Sequence, residues 1–579
     1  MSKSNNLTCE GLARRIRVAL GQEPADVLLS GGHVVDVFTQ SIRSADVAIV
    51  DGVIAGVGPD RWHARQVFDV QGGFILPGLI DAHIHVESTL LMPNALAQLI
   101  VPRGTLTLIA DPHEIANVMG IGGIDLLIQA SQNVPLDIFF MASSCVPASP
   151  WEESGAVLEA PDIRALVQRP AVLGLAEMMN YPAILKGDPS VLSKIIEVWH
   201  QQRPIDGHAP LLRDRALQAY VAAGMRSDHE SSQREEAQAK AQLGMLIQVR
   251  EGSAEHNLHD LLPLIQADQL GDWCLASDDI FPNDLLANGH LERLLRRLVE
   301  AGVSPAKAVR HASLIPARHY GLRDKGAVAP SYAADLLVVK DLLTFEPSWV
   351  FKQGQCVAQN GHALFAPSTN NQPWINSIHL PPLTADSFKL KLQAPTAPVI
   401  GIVPGQIITR HEEHTIPQAG GCFQFNPEVD ILPIANIERH GHSGRMGLGF
   451  VRGLGLRQPG ALASSVGHDA HNVIVAGSDP QTMLAATQAL AAIGGGFVVV
   501  RGTQVAAQLA LPVAGLLTDE PALKVCEHLD ALHRAANSLG CPLPSPFGTL
   551  SFMALSVIPE LRITTHGILD VNNQTIIQL

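Results

Sequence analysis

Eight times between Gly73 and Asp279, a short apolar run ends in polar residues, and helix-length segments separate the runs. The runs are GFILPGLIDAHIH, GTLTLIADPHE, LDIFFMASSC, AVLGLAEMMN, PIDGHAP, GMRSDHE, GMLIQVREGS and WCLASDD. Helical patterns between them include Asn94–Val101, Val191–Gln201, Leu211–Ala223 and Glu255–Ile265. Strand and helix alternating over roughly 250 residues predict an α/β fold of the (β/α)8, or TIM-barrel, type. In such a barrel the C-terminal strand ends build the active site. Here those ends are rich in His, Asp and Glu.

The first end carries His83 and His85, the fourth Glu177, the fifth His208, the sixth His229 and the eighth Asp278. Residues i and i+2 of a strand point the same way, so His83 and His85 share a face and can hold one ion. A lone histidine at any of these places reads as structural, but six convergent strand-end donors read as a metal site. The set is nitrogen and oxygen without sulfur, which suits Mn, Fe or Zn better than a thiolate-selected ion. Six donors exceed what one catalytic ion needs, and Glu177 can bridge two. Two divalent ions sharing a carboxylate would supply a hydroxide near neutral pH. Asp278 is placed to accept the water proton and pass it on. Asp278, Glu177 and His229 are the expected catalytic groups.

The remaining composition narrows the classes. A formal charge of -15 and a pI near 5.9 argue against a nucleic-acid or anionic-membrane binder. Aromatic residues, at 4%, are too sparse for base-stacking platforms. Seven scattered cysteines without a CxxC predict reduced thiols, a cytoplasmic protein and no cysteine metal site. Neither a signal-peptide core nor a membrane-length apolar run is present in the sequence.

The flanks read differently. Residues 1–73 predict a short helix and the first part of a small β-sandwich. Residues 74–330 are the expected metal-binding barrel. Residues 331–365 supply strands that return to the sandwich, 366–384 (Pro- and Asn-rich) read as a linker, and 385–579 as a further α/β domain. That last domain is expected to carry strands near Ile431–Ile437 and Val473–Val475 and a helix near Gln481–Ile493.

The HxH strand, the lone strand-end histidines and the final Asp resemble the amidohydrolase superfamily. PGLIDAHIHVESTLL, ADPHEIANVMG, SSCVPA, GLAEMMNYP, DGHAP, IQVREGSA, ERHGHSGR, GALASSVGHDAHN, LPVAGL and SVIPELRIT resemble, within it, the bacterial-type adenine deaminases. The resemblance spans nearly the whole chain. It implies hydrolysis of adenine to hypoxanthine and ammonia in purine salvage, at a two-metal centre that is often Mn or Fe, in a homo-oligomer such as a dimer. It also implies that His83 and His85 bind one ion and that His208 and His229 bind the other. Glu177 would take the bridging place that a carboxylated lysine fills in many relatives. One departure is Ser277-Asp278-Asp279-Ile280, where the family commonly reads T-D-D-R. The missing Arg bears on substrate affinity or choice. His85-Val86-Glu87 matches the H-x-E of zinc nucleobase deaminases, but without P-C-x-x-C the match is accidental.

Several polar groups stay open at the sequence level. Asp111 and His113 read either as a further metal or supporting position or as a helix N-cap. Arg250 and Glu251 either bind the base or form a salt-bridged turn. Glu87 either supports the first ligand pair or caps a helix. Asp279 adjoins the expected proton shuttle. His468 and His471, with His440, His442 and Asp469, either bring the C-terminal domain to the active site or make a polar domain contact. If the domain contributes, removing residues 385–579 abolishes turnover. The alternatives to adenine are another aminopurine or a cyclic amide, and, from another class, a non-catalytic assembly protein on the same scaffold.

Overall fold

Pro77 and Gly78 divide the first apolar run between two sheets. Sequence periodicity treats Phe74 to His85 as one strand. In the computed structural model, which describes residues 8–59, 62–253, 255–366, 375–577 and 579, Phe74–Pro77 pairs antiparallel with Leu336–Val339 and parallel with His33–Val34. The barrel strand proper begins at Leu79. Gly78 allows the switch because a Cβ there would lie 2.8 Å from the Leu106 side chain.

The eight barrel strands are Leu79–Ile84, Thr105–Ala110, Asp137–Ala142, Val172–Met178, Ile205–Gly207, Ser227–Asp228, Leu246–Arg250 and Trp273–Ala276. The first five form one parallel sheet and the last three another. Two junctions complete the ring. The Arg226 amide donates to the Ile205 carbonyl at 3.0 Å, and the Asp278 amide donates to the His83 carbonyl at 2.9 Å. The second junction brings the last strand end beside the two histidines of the first. The expected helices appear as Pro93–Ile100, Pro189–Trp199, Asp214–Ala222 and Leu258–Gln266. Each buries its apolar stripe against the barrel.

Strands from both flanks of the barrel make a sandwich. A four-stranded sheet from residues 25–69 faces a seven-stranded sheet that mixes strands before and after the barrel. Leu29 packs with Val47, Ile54, Ile75, Leu336 and Phe351 between the two sheets. Thr8 caps the N-terminal helix, Cys9–Ala19; residues 1–7 of that expected segment lie outside the described residues.

The C-terminal region is an eight-stranded mixed sheet including Ile431–Ile437, Gly460–Ser464, Val473–Gly477 and Gly496–Arg501. Alternation along these strands separates two cores. Ala435, Ile437, Val473, Val475, Val498 and Val500 meet the helix Pro480–Ala492. Ile434, Leu462, Ile474, Ala476 and Val499 belong to the main core shared with the barrel. Of the expected linker 366–384, residues 367–374 lie outside the described residues. The part after them is docked: Ile378 is buried, and the His379 amide donates to the Arg439 carbonyl at 2.7 Å.

Candidate functional site

Glu177 ends the fourth barrel strand, and its two carboxylate oxygens face different histidines. Oε1 lies 3.3 Å from His85 Nε2 and 4.0 Å from His83 Nε2. Oε2 lies 2.6 Å from His208 Nδ1 and 3.1 Å from His229 Nε2. Asp278 Oδ1 completes the first side, at 3.1 Å from His85 Nε2 and 3.5 Å from His83 Nε2. His83, His85, Glu177, His229 and Asp278 are almost fully buried, and His208 sits at the rim. All six expected ligands therefore converge.

The donors fit a divalent cation. His83 Nε2 and His85 Nε2 approach to 3.2 Å with their rings nearly perpendicular. His85 Nδ1 is 3.1 Å from the Asp111 carbonyl and donates to it, so the Nε2 lone pair faces inward. Facing lone pairs and carboxylate oxygens repel unless a cation or protons lie among them. Burial disfavours charge on His83 and His85, yet Asp278 and Glu177 hold both above the ordinary imidazole range. Burial likewise opposes charge on His208, but Glu230 and Glu177 lift it to about 9. Burial opposes charge on Glu177 and Asp278 too, but the imidazoles around both, and Arg250 beside Asp278, keep them well below the usual carboxylate range.

Around these ligands the structure sorts the open groups. The Asp111 carboxylate accepts the His113 amide at 3.2 Å from one residue ahead of the helix N-cap Pro112, and its other oxygen lies 3.4 Å from His113 Nδ1. His113 Nδ1 is also 3.6 Å from Glu177 Oε1. Glu87 accepts the Ile115 amide at 3.0 Å; burial, reinforced by Glu114, pushes it up to about 8. Arg250 lies in a buried ion network. It donates to Asp278 Oδ2 at 2.5 Å, to Glu230 at 2.6 Å and to Glu255 at 2.8 Å. Held in this way, Asp278 keeps Oδ1 toward the histidines. Asp279 accepts the Ser88 hydroxyl.

One expectation is corrected and one open position is resolved. Glu251 does not enter the site: its side chain accepts the Leu258 amide at 3.0 Å and pairs with Arg297. The reason is that the strand ladder continues through its amide, which donates to the Ala276 carbonyl at 3.1 Å, and alternation turns it to the face opposite Arg250. Ile280 is fully buried in the main core, so this position packs rather than lines the cleft.

The C-terminal region does reach the mouth. His468 Nδ1 lies 3.5 Å from Glu114 Oε1, Asp469 Oδ1 3.8 Å from His113 Nε2, and His471 Nε2 4.0 Å from Glu114 Oε2. The Gly467 amide donates to His471 Nδ1 at 3.2 Å, so neutral His471 carries its proton on Nε2 and faces Glu114 as a donor. That makes Glu114, His468 and His471 a weaker cation trap than the donors around Glu177. His440 stays outside, with Nε2 donating to the Ala470 carbonyl at 2.9 Å. Sequence reasoning missed Glu230 and did not single out Glu114. Both directly follow a named histidine, His229 and His113, but strand alternation assigns neighbours to opposite faces. Irregular backbone after the short sixth strand, and helical backbone at 113–119, turn both members of each pair to the cleft.

A parallel eight-stranded barrel with His, Glu and Asp at its strand ends defines the amidohydrolase class, and residues 74–357 match the amidohydrolase family model. Residues 406–575 match the model of the adenine deaminase C-terminal domain. An adenine deaminase of Dehalococcoides mccartyi (strain CBDB1) is 44% identical over 97% of this chain and 98% of its own length. Adenine deaminase 2 of Carboxydothermus hydrogenoformans is 41% identical over 97% and 98%, and an adenine deaminase of Methylobacterium nodulans 40% over 98% and 99%. The chain belongs to the adenine deaminase family. Membership in the amidohydrolase class implies a divalent-metal site, and the clustered donors are consistent with it. Among the described residues, no helix is long and apolar enough to cross a membrane.

Proposed function

We infer that this chain deaminates adenine hydrolytically, giving hypoxanthine and ammonia, at a binuclear divalent-metal centre. The observation that carries the reading is the likeness to adenine deaminases across both the barrel and the C-terminal region. His83 and His85 would hold one ion, His208 and His229 the other, and Glu177 would join them, each oxygen already facing one pair. The donor set is compatible with Mn, Fe or Zn, and the likeness to adenine deaminases favours Mn or Fe. When bound, such ions make water acidic enough to lose a proton near neutral pH.

The chain's own groups then handle protons and position. Asp278 Oδ1 takes the proton from the attacking water and returns it to the purine ring nitrogen or the departing amine. Arg250 keeps Asp278 ionised and fixes which oxygen faces the cleft. The burial of the centre excludes bulk water, which strengthens each of these interactions. The first test follows adenine absorbance with Mn- or Fe-loaded protein beside a chelated control. Metal-dependent formation of hypoxanthine is expected. A sample holding about two ions per chain that leaves adenine intact rejects adenine as substrate.

A further inference from the structure

A cavity of about 420 Å³ lies where the barrel mouth meets the C-terminal region. Ser88 and His468 line it, and both contact Glu114 beside the metal-ligand cluster. The rest of its wall is largely aromatic and apolar: Phe281 from the barrel, and Phe497, Phe547 and Phe552 from the C-terminal region. The His468 ring stacks on Phe552, with centroids 4.8 Å apart and planes 16° apart. Flat apolar walls with a few polar groups suit a planar heterocycle.

Two polar side-chain atoms in this wall have no hydrogen-bond partner among the described residues, Asn283 Oδ1 and the Ser551 hydroxyl, and only the hydroxyl can both donate and accept. Ser551, on the helix Pro546–Phe552, is 3% exposed, yet its hydroxyl is left unbonded. A helical serine ordinarily bonds back to a carbonyl of the turn before it, as Ser193 does to Ser190. A buried hydroxyl left unbonded is costly, which makes it a mark of a site that a ligand completes.

We propose that this cavity seats the outer half of the purine, and that Ser551 hydrogen-bonds the imidazole edge of the base. The inference rests on the adenine-deaminase reading. The six-membered ring points inward to the cluster, because the reacting carbon belongs to it. The five-membered ring then extends past Ser88 and His468 between Phe281 and Phe552, where its N7 or N9 meets the Ser551 hydroxyl. The C-terminal region thus contributes substrate recognition, and Ser551 is a specificity residue that takes no part in proton transfer.

The test compares Ser551→Ala with the unaltered holoenzyme. KM for adenine and the inhibition constants of 7-deazaadenine and 9-deazaadenine, used as competitive inhibitors, are measured for each. The variant is expected to raise KM for adenine about five- to tenfold, the value of one lost hydrogen bond, with kcat nearly unchanged. One deaza analogue, lacking the nitrogen that Ser551 binds, is expected to bind both proteins equally; the other loses affinity as adenine does. Unchanged KM overturns the proposal. So does an equal loss for adenine and both analogues, which marks a packing effect. Metal content and thermal unfolding of the variant separate misfolding from lost recognition, and Phe281→Leu supplies a second reading, expected to weaken all three ligands alike. Failure of the unaltered metal-loaded protein to convert adenine would instead sink the underlying reaction, whatever the variants do.

Discussion

Two buried charge clusters in this molecule are built on opposite plans. At the seam between the barrel's lower end and the flanking sandwich, Lys325 and Lys352 alternate with Asp137 and Asp335. Each lysine reaches Asp335 at 2.8 Å and Asp137 at 2.5 Å. Two positive and two negative groups close on each other, and the cluster needs nothing from outside. At the barrel mouth, Glu87, Asp111, Glu114, Glu177, Glu230, Asp278 and Asp279 gather around histidines, with the Arg250 guanidinium behind Asp278. There Asp111, His113, His229 and Glu87 each retain a buried polar atom with no hydrogen-bond partner among the described residues. A balanced cluster holds domains together; an acid-rich cluster with open lone pairs is arranged for a cation and a substrate.

The comparison breaks most visibly on metal removal. Chelation is expected to abolish adenine turnover while leaving the fold intact by circular dichroism, because the seam owes nothing to the ion. Turnover that survives verified metal loss would remove the contrast. Next in size, Asp278→Asn is expected to lower kcat by about 10²- to 10⁴-fold with bound metal largely retained, read by steady-state kinetics and elemental analysis. At the seam, Lys352→Met leaves two carboxylates facing Lys325 alone. A loss of about 3 kcal/mol in urea unfolding is expected, with kcat per folded molecule unchanged. If that variant instead loses kcat and keeps its stability, the seam is not merely a structural clamp. Glu230→Gln, which removes one partner from Arg250, is expected to cost about tenfold in kcat/KM, in the range for residues that orient a centre from behind.

The smallest effect sharpens the contrast through pH. Burial raises the Asp335 pKa, but Lys325 and Lys352 outweigh it and leave it below the ordinary value. A carboxylate depressed in the folded state contributes stability that is complete above its unfolded pKa of about 4 and is lost as pH falls through the folded value. Acid unfolding below about pH 4 is therefore expected to be less steep in Asp335→Asn than in the unaltered chain. Identical acid limbs would show that the seam is not what fails there.

Much of the scaffold is legible in the sequence because hydrophobic periodicity is local. Ile431–Ile437 forms with its expected bounds, and all eight barrel strands fall within their expected runs. The first run is harder to divide, since Phe74–Pro77 and Leu79–Ile84 are equally apolar and only their partners differ. At the site, strand alternation is enough to pair His83 with His85. It also sets Glu251 on the face opposite Arg250, so with Arg250 in the site it excludes Glu251, whose amide still donates to the Ala276 carbonyl of the next strand. By contrast, Ile280 stands out in the sequence as a missing arginine, and only its place in the core shows that it packs.

The sequence by itself determined which residue types end each barrel strand, and so the donor set and the chemistry it permits. Only the tertiary structure decided which oxygen of Glu177 faces which histidines, that Arg250 aims Asp278, and that His468 and Asp469 meet Glu114 and His113 from the far end of the chain. The physical reason is range. Alternation and helical period act over a few residues, whereas these contacts arise from the closure of the ring and the burial of a distant sheet face against it.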